Sequence, residues 1–158
     1  MTIVNKILAS IHAALDTQRE VEYENGNTVT VPVPFPVYYH DEPTLNLMTS
    51  DMSFPCALVQ LLTTGRMVME AGQAKESVTV AVFFVQPTEF DFDAEDNEEL
   101  IEECKGYASR WLLSLNASDV ERIGEVRTSR VYDRYDDILT GFGVTFDAKE
   151  NIGDCIGD

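Results

Sequence analysis

Two histidines and three cysteines are the obvious candidates for chemistry in this chain, and neither set is spaced for catalysis. His12 lies beside the apolar stripe of a predicted first helix, and His40 precedes Asp41 and Glu42 in a predicted loop. No Ser or Cys nucleophile motif accompanies either one. Cys56, Cys104 and Cys155 are odd in number and show neither CxxC nor Cys-His spacing. Cys104 falls on the apolar face of a predicted helix, where a free thiol behaves as a small hydrophobe. Cys56 falls in a predicted β core segment, and Cys155 in a polar tail expected to be exposed. Phosphate-cradling glycine motifs are absent, and Gly141-Phe142-Gly143 sits inside a strand pattern, where glycines mark a bulge or a close backbone contact.

The acidic run offers a more tempting site. Nine acidic residues fall between Glu89 and Glu103, and Asp91, Asp93 and Glu95 alternate like the start of a calcium loop, with Glu102 in the twelfth place. The sixth place of such a loop needs Gly for its sharp turn, and here it is Asp96. A solvated loop that caps the following helix fits the residues better, since Asp96 and Glu99 have capping-box spacing and acidic side chains suit a helix N-terminus. No residue is therefore assigned a catalytic, cofactor-binding or metal-binding role, and no cofactor is expected.

Composition narrows the possible partners. Eleven basic residues stand against 28 acidic ones, a net charge of −17, which repels phosphate backbones and anionic lipid surfaces. Arg122, Arg127, Arg130 and Arg134 come nearest to a basic cluster, but Glu121, Glu125, Asp133, Asp136 and Asp137 are interleaved with them or follow directly. No specific nucleic-acid binding is expected. The apolar positions from Ile3 to Leu15 are broken by Asn5, Lys6, Ser10 and His12, and no run approaches the ~18 apolar residues of a membrane span. The cytoplasm, with reduced thiols, is the expected compartment. A length of 158 residues predicts one domain, 1–158, with 149–158 a flexible C-terminal tail.

The elements that would position any site follow from periodicity. Ile3, Ile7, Leu8, Ile11, Ala14 and Leu15 form one stripe, predicting a helix over 2–16. Asn25-Gly26-Asn27 marks a turn. From Thr28 to Tyr39 the odd positions Val29, Val31, Val33, Phe35, Val37 and Tyr39 are all apolar, while Pro32, Pro34 and Pro36 occupy even ones. Prolines in that register strip donors from one edge, so the segment is predicted to be an edge strand or an extended arm. Its unbroken apolar face needs a cover, and these six odd residues are the predicted self-association surface. Cys56–Leu62 reads as a strand, Thr64-Gly65 as a turn into Met67–Met69, and Ser77–Gln86, apolar on both faces, as a central strand. A helix over 97–115 and strands over 121–132 and 138–148 follow, with a turn at 133–137. The fold class is α+β: two helices packed on a mostly antiparallel sheet, with a proline-rich edge strand or arm.

This order of elements resembles the phage tail terminator, or tail-completion, family. The likeness rests on the Ile3–Leu15 helix, the Phe54-Pro55-Cys56-Ala57-Leu58-Val59 strand start, the central strand from Ser77 to Phe84, the helix from Asn97 to Leu115 and the Gly141–Phe146 strand. It covers most of the chain as an order of elements with loose local patterns; the proline-laden Val31–Val37 segment and the acid excess depart from it. The resemblance implies a non-enzymatic structural protein of a virion or prophage that caps the tail tube or joins tail to head. It would act as a homo-oligomeric ring, typically a hexamer, in contact with other tail or neck proteins, in the virion or the host cytoplasm. Two other classes fit the residues: a small cytoplasmic adaptor domain docking a partner on its proline-bearing edge, and an acidic metal-dependent hydrolase with ligands in Asp91–Glu103.

Overall fold

Ile3, Ile7, Ile11 and Leu15 recur every four residues, and all four are buried along one side of helix α1 (Ile3–Leu15). The computed structural model describes residues 3–39, 52–88, 93–115, 121–134 and 139–154. After α1 the chain forms β1 (Thr17–Glu22), β2 (Thr28–Val33), β3 (Val37–Tyr39), β4 (Cys56–Glu70) and β5 (Gln73–Pro87). Helix α2 (Ala94–Ser114), β6 (Glu121–Arg134) and β7 (Leu139–Asp154) complete it.

Five strands make one sheet in the order β3-β4-β5-β7-β6, antiparallel except for the β3–β4 pair. The central place of β5 explains its two apolar faces. Val78, Val80, Val82 and Phe84 join Val144, Phe146 and Ala148 of β7 beneath the two helices. Val85 on the opposite face joins Cys56, Leu58, Val131 and Leu139, flanked by partly buried Tyr38, Phe54 and Phe83. Trp111 of α2 is fully buried over the first face, tilted against Phe84 and Phe146 at ring-centroid distances of 6.1 and 5.9 Å. Its indole N–H donates to Ser10 Oγ at 2.9 Å, which ties the two helices together. The α+β class and the two helices on a mostly antiparallel, mixed sheet are as expected from the sequence.

Several boundaries differ from expectation. Helix α2 begins at Ala94, not Asn97, because Asp93 holds an extended backbone and forms the capping box with Asp96. The Asp93 carboxylate accepts from the Asp96 N–H at 2.9 Å, and the Asp96 carboxylate accepts from the Asp93 N–H at 3.1 Å. Thr64-Gly65 is no turn, and β4 runs on through a bulge. Five residues, Leu61 to Gly65 on β4, oppose three, Val80 to Val78, on β5. A Cβ on Gly65 would stand 2.6 Å from the Ser77 carbonyl oxygen, so the close crossing there needs glycine. Strand β7 reaches Asp154 by pairing with β5 as far as Gln73, so strand occupies 149–154 where a tail was expected. The proposed turn at 133–137 and the residues His40, Asp91 and Cys155 fall wholly or partly outside the described residues.

Candidate self-association surface

Among the described residues strands β1 and β2 pair only with each other, in register from Thr17↔Val33 to Glu22↔Thr28. They form an arm: none of residues 16–34 is buried, whereas Leu15 and Phe35 on either side both are. Directly paired residues share a face, so Val21, Val29, Val31 and Val33 line one side of the arm, together with Thr17 and Arg19. Gln18, Glu20, Glu22, Thr28, Thr30 and Pro32 line the other. Val29 and Val33 are 41% and 36% exposed, and the valine face has no cover among the described residues. Because no third strand among the described residues pairs with the hairpin, the missing N–H of Pro32 interrupts no ladder there beyond β1.

The six residues predicted to share one apolar face do not share it, which corrects the sequence expectation. The chain leaves β-structure at Pro34-Phe35-Pro36, where proline fixes φ and removes donors. Phe35 turns into the body, 9% exposed, its ring centroid 5.2 Å from that of Tyr107 and 6.3 Å from that of Phe84. Val37 and Tyr39 then belong to β3, on the edge of the five-stranded sheet. Only Val29, Val31 and Val33 remain together, on the arm.

Asp16 holds the root of the arm. Its carboxylate accepts from the Phe35 N–H at 2.8 Å and meets His12 Nδ1 at 2.9 Å, closing the loop between helix α1 and the proline segment. Partial desolvation pushes the Asp16 pKa up, but the Phe35 hydrogen bond and the neighbouring His12 outweigh it and hold the carboxyl below its ordinary value. On the far side of the proline segment the Pro36 carbonyl accepts from the Ala57 N–H at 2.9 Å.

A groove of about 490 Å³ opens at this root. The Val33–Pro36 segment forms one wall, Ser53–Pro55 another, and Tyr107 and Arg110 of α2 a third. The Arg110 guanidinium carbon lies 5.8 Å from the Tyr107 ring centroid, in the range of a cation–π contact. The Tyr107 hydroxyl donates to Glu103 at 2.8 Å, and burial together with that neighbouring charge pushes its pKa up to about 12. Prolines, three aromatic rings and one exposed cation line the groove. Nothing in it resembles a set of reacting groups.

Comparison with protein-family models and with curated proteins gives no match for this chain. What the site does rests on its own geometry. Cys56 and Cys104 are both fully buried, and desolvation raises both thiol pKa values, Cys104 to about 12 with help from the nearby Glu103 charge, so neither carries a ready thiolate. His12 is engaged with Asp16, and Asp93 and Asp96 are engaged with each other's backbone. Among the described residues no three His, Cys, Asp or Glu side chains cluster as metal ligands. No helix of the described residues is long and apolar enough to cross a membrane. Gly141 and Gly143 mark close approach, as their strand setting predicts: an added Cβ would stand 1.9 Å from the Phe84 carbonyl oxygen or 2.5 Å from the Phe83 ring. The groove itself was not visible in the sequence. Its walls lie far apart along the chain, and only the Pro-x-Pro spacing at one wall hints at it.

Proposed function

We propose that this protein is a structural, non-catalytic subunit of a phage or prophage tail, assembling as a ring that caps the tail tube or joins tail to head. The observation that carries this reading is the arm: a two-stranded projection outside the core, with an uncovered valine face. An isolated hairpin in water is marginal at best, and an apolar face held away from its own body is best stabilised by another surface. A contact between a projection on one copy and a different surface on the next is heterologous, and repeated rotation closes it into a ring. The acid excess supports the same role, since a negative lumen lets DNA pass without retaining it.

The decisive experiment replaces residues 18–32 with a short Gly-Ser link and measures native mass and melting temperature. Because the arm contributes no buried residue, the body should keep its melting temperature and circular dichroism spectrum, while oligomers seen for the intact chain disappear. Oligomers of unchanged size in the armless protein would remove the basis for the proposal. The groove favours a second reading, a small adaptor domain that docks another protein there. A chain that stays monomeric at high micromolar concentration, yet binds proline- or tyrosine-bearing peptides in the groove, would favour that reading.

A further inference from the structure

At the tip of the arm Tyr23 is 53% exposed, in the sequence Glu22-Tyr23-Glu24. Its N–H donates to the Asn27 carbonyl at 2.8 Å, extending the β1–β2 ladder by one pair. Standing two residues beyond Val21, Tyr23 therefore continues the valine face to the end of the arm. The tip is rigidly built: the Gly26 N–H donates to the Tyr23 carbonyl at 2.9 Å, and the Asn27 N–H to Asn25 Oδ1 at 3.0 Å. The result is a large amphipathic ring with few rotatable bonds, flanked by two carboxylates and held away from the body.

The groove at the root is its complement. Its volume of about 490 Å³ lies in the range of small-molecule and side-chain pockets, and its walls are the prolines of 34–36 and 55 with the rings of Phe54 and Tyr107. Arg110 at the rim is exposed and makes no ion pair among the described residues, in a chain with a net charge of −17. Two described acids beside groove-lining residues are already engaged: Glu103 by the Tyr107 hydroxyl, Asp16 by Phe35 and His12. An acidic tip with a tyrosine and a proline-aromatic groove with an exposed arginine at its rim are carried by the same chain. The hairpin, about 20 Å long at 3.3 Å per residue, holds them too far apart to meet within one copy.

We infer that the arm tip of one copy inserts Tyr23 into the root groove of the next, with Glu22 or Glu24 meeting Arg110, so that each copy both gives and receives the same contact. The inference rests on the ring-forming reading above and names its joint. Val33 lines the groove and also ends the valine face, so the incoming tip lies against the base of the recipient's own arm.

Sedimentation velocity over a concentration series tests it with three variants. Tyr23→Ala and Arg110→Glu, both at exposed positions, should keep the circular dichroism spectrum and each weaken association ~10-fold or more, as a truncated anchor or a reversed charge does at the centre of an interface. Arg110→Glu combined with Glu22→Arg and Glu24→Arg should recover association to within a few-fold of wild type. An assembled wild type that ignores both single variants, or a reversal that fails to rescue, overturns the tip-in-groove contact and leaves the ring standing. A wild type that stays monomeric at high micromolar concentration overturns the ring and this joint with it.

Discussion

Trp111 and Asp16 show what single side chains decide here. Trp111 fills the space between both helices and the sheet, and its indole N–H is satisfied by Ser10. Trp111→Ala removes a fully buried aromatic and should cost ~3–5 kcal/mol in urea unfolding. A cost below ~1 kcal/mol would mean the helix does not seat as described. Asp16 gives a pH dependence with a definite sign. Its folded pKa lies below the ordinary value of 3.8, so on acidification the unfolded chain takes up the proton first. The stabilisation is complete above the unfolded value and is lost as pH falls through the folded one. Asp16→Asn should therefore be less stable than wild type at neutral pH, with a difference that narrows below about pH 3.8. A gap that stays constant into acid would assign the acid sensitivity to other carboxylates.

Among the elements, those with at least one buried face were the readable ones. Helix α1, the two-sided β5 and β7 all announce themselves because burial imposes period 3.6 or period 2 on residue type. Strand β1 went unseen for the matching reason. In Thr17-Gln18-Arg19-Glu20-Val21-Glu22 only Val21 is apolar, and a strand with solvent on both faces carries no burial signal. The arm as a unit was half visible: the prolines correctly excluded a central strand, but the carboxylate that holds Phe35 where it turns inward is Asp16, 19 residues away, and no local pattern encodes that partner. The start of α2 was misplaced by three residues because Asp93, Asp96 and Glu99 repeat the same capping spacing, and only backbone geometry chooses between them. That choice is testable. Asp93→Ala should cost ~1 kcal/mol of stability, the usual loss for an N-cap carboxylate, and Glu99→Ala far less. Equal losses would place the helix start where the sequence pattern put it.

For the molecule as a whole, the charge of −17 invites a search for cations, and three acids at the start of α2 are committed elsewhere. Asp93 and Asp96 satisfy the α2 N-terminus, and Glu98 pairs with Arg130 and Tyr132. Saturating calcium at constant ionic strength should therefore leave the melting temperature within about a degree; a rise of several degrees would reinstate the loop around Asp91–Glu102 as a binding site. The arm has a mechanical consequence at this scale. Both of its strands join the body within a few residues of one carboxylate, so it behaves as a lever with its pivot at Asp16. With ~20 Å between pivot and tip, a turn of about 10° at the root carries Tyr23 through roughly 3–4 Å, the width of an atom's contact shell. The curvature of any array built through the arm is then set where the lever is hinged. Substitutions at His12 or Asp16, which do not line the groove of the proposed joint, should change how many copies close a circle before they change how tightly two copies bind.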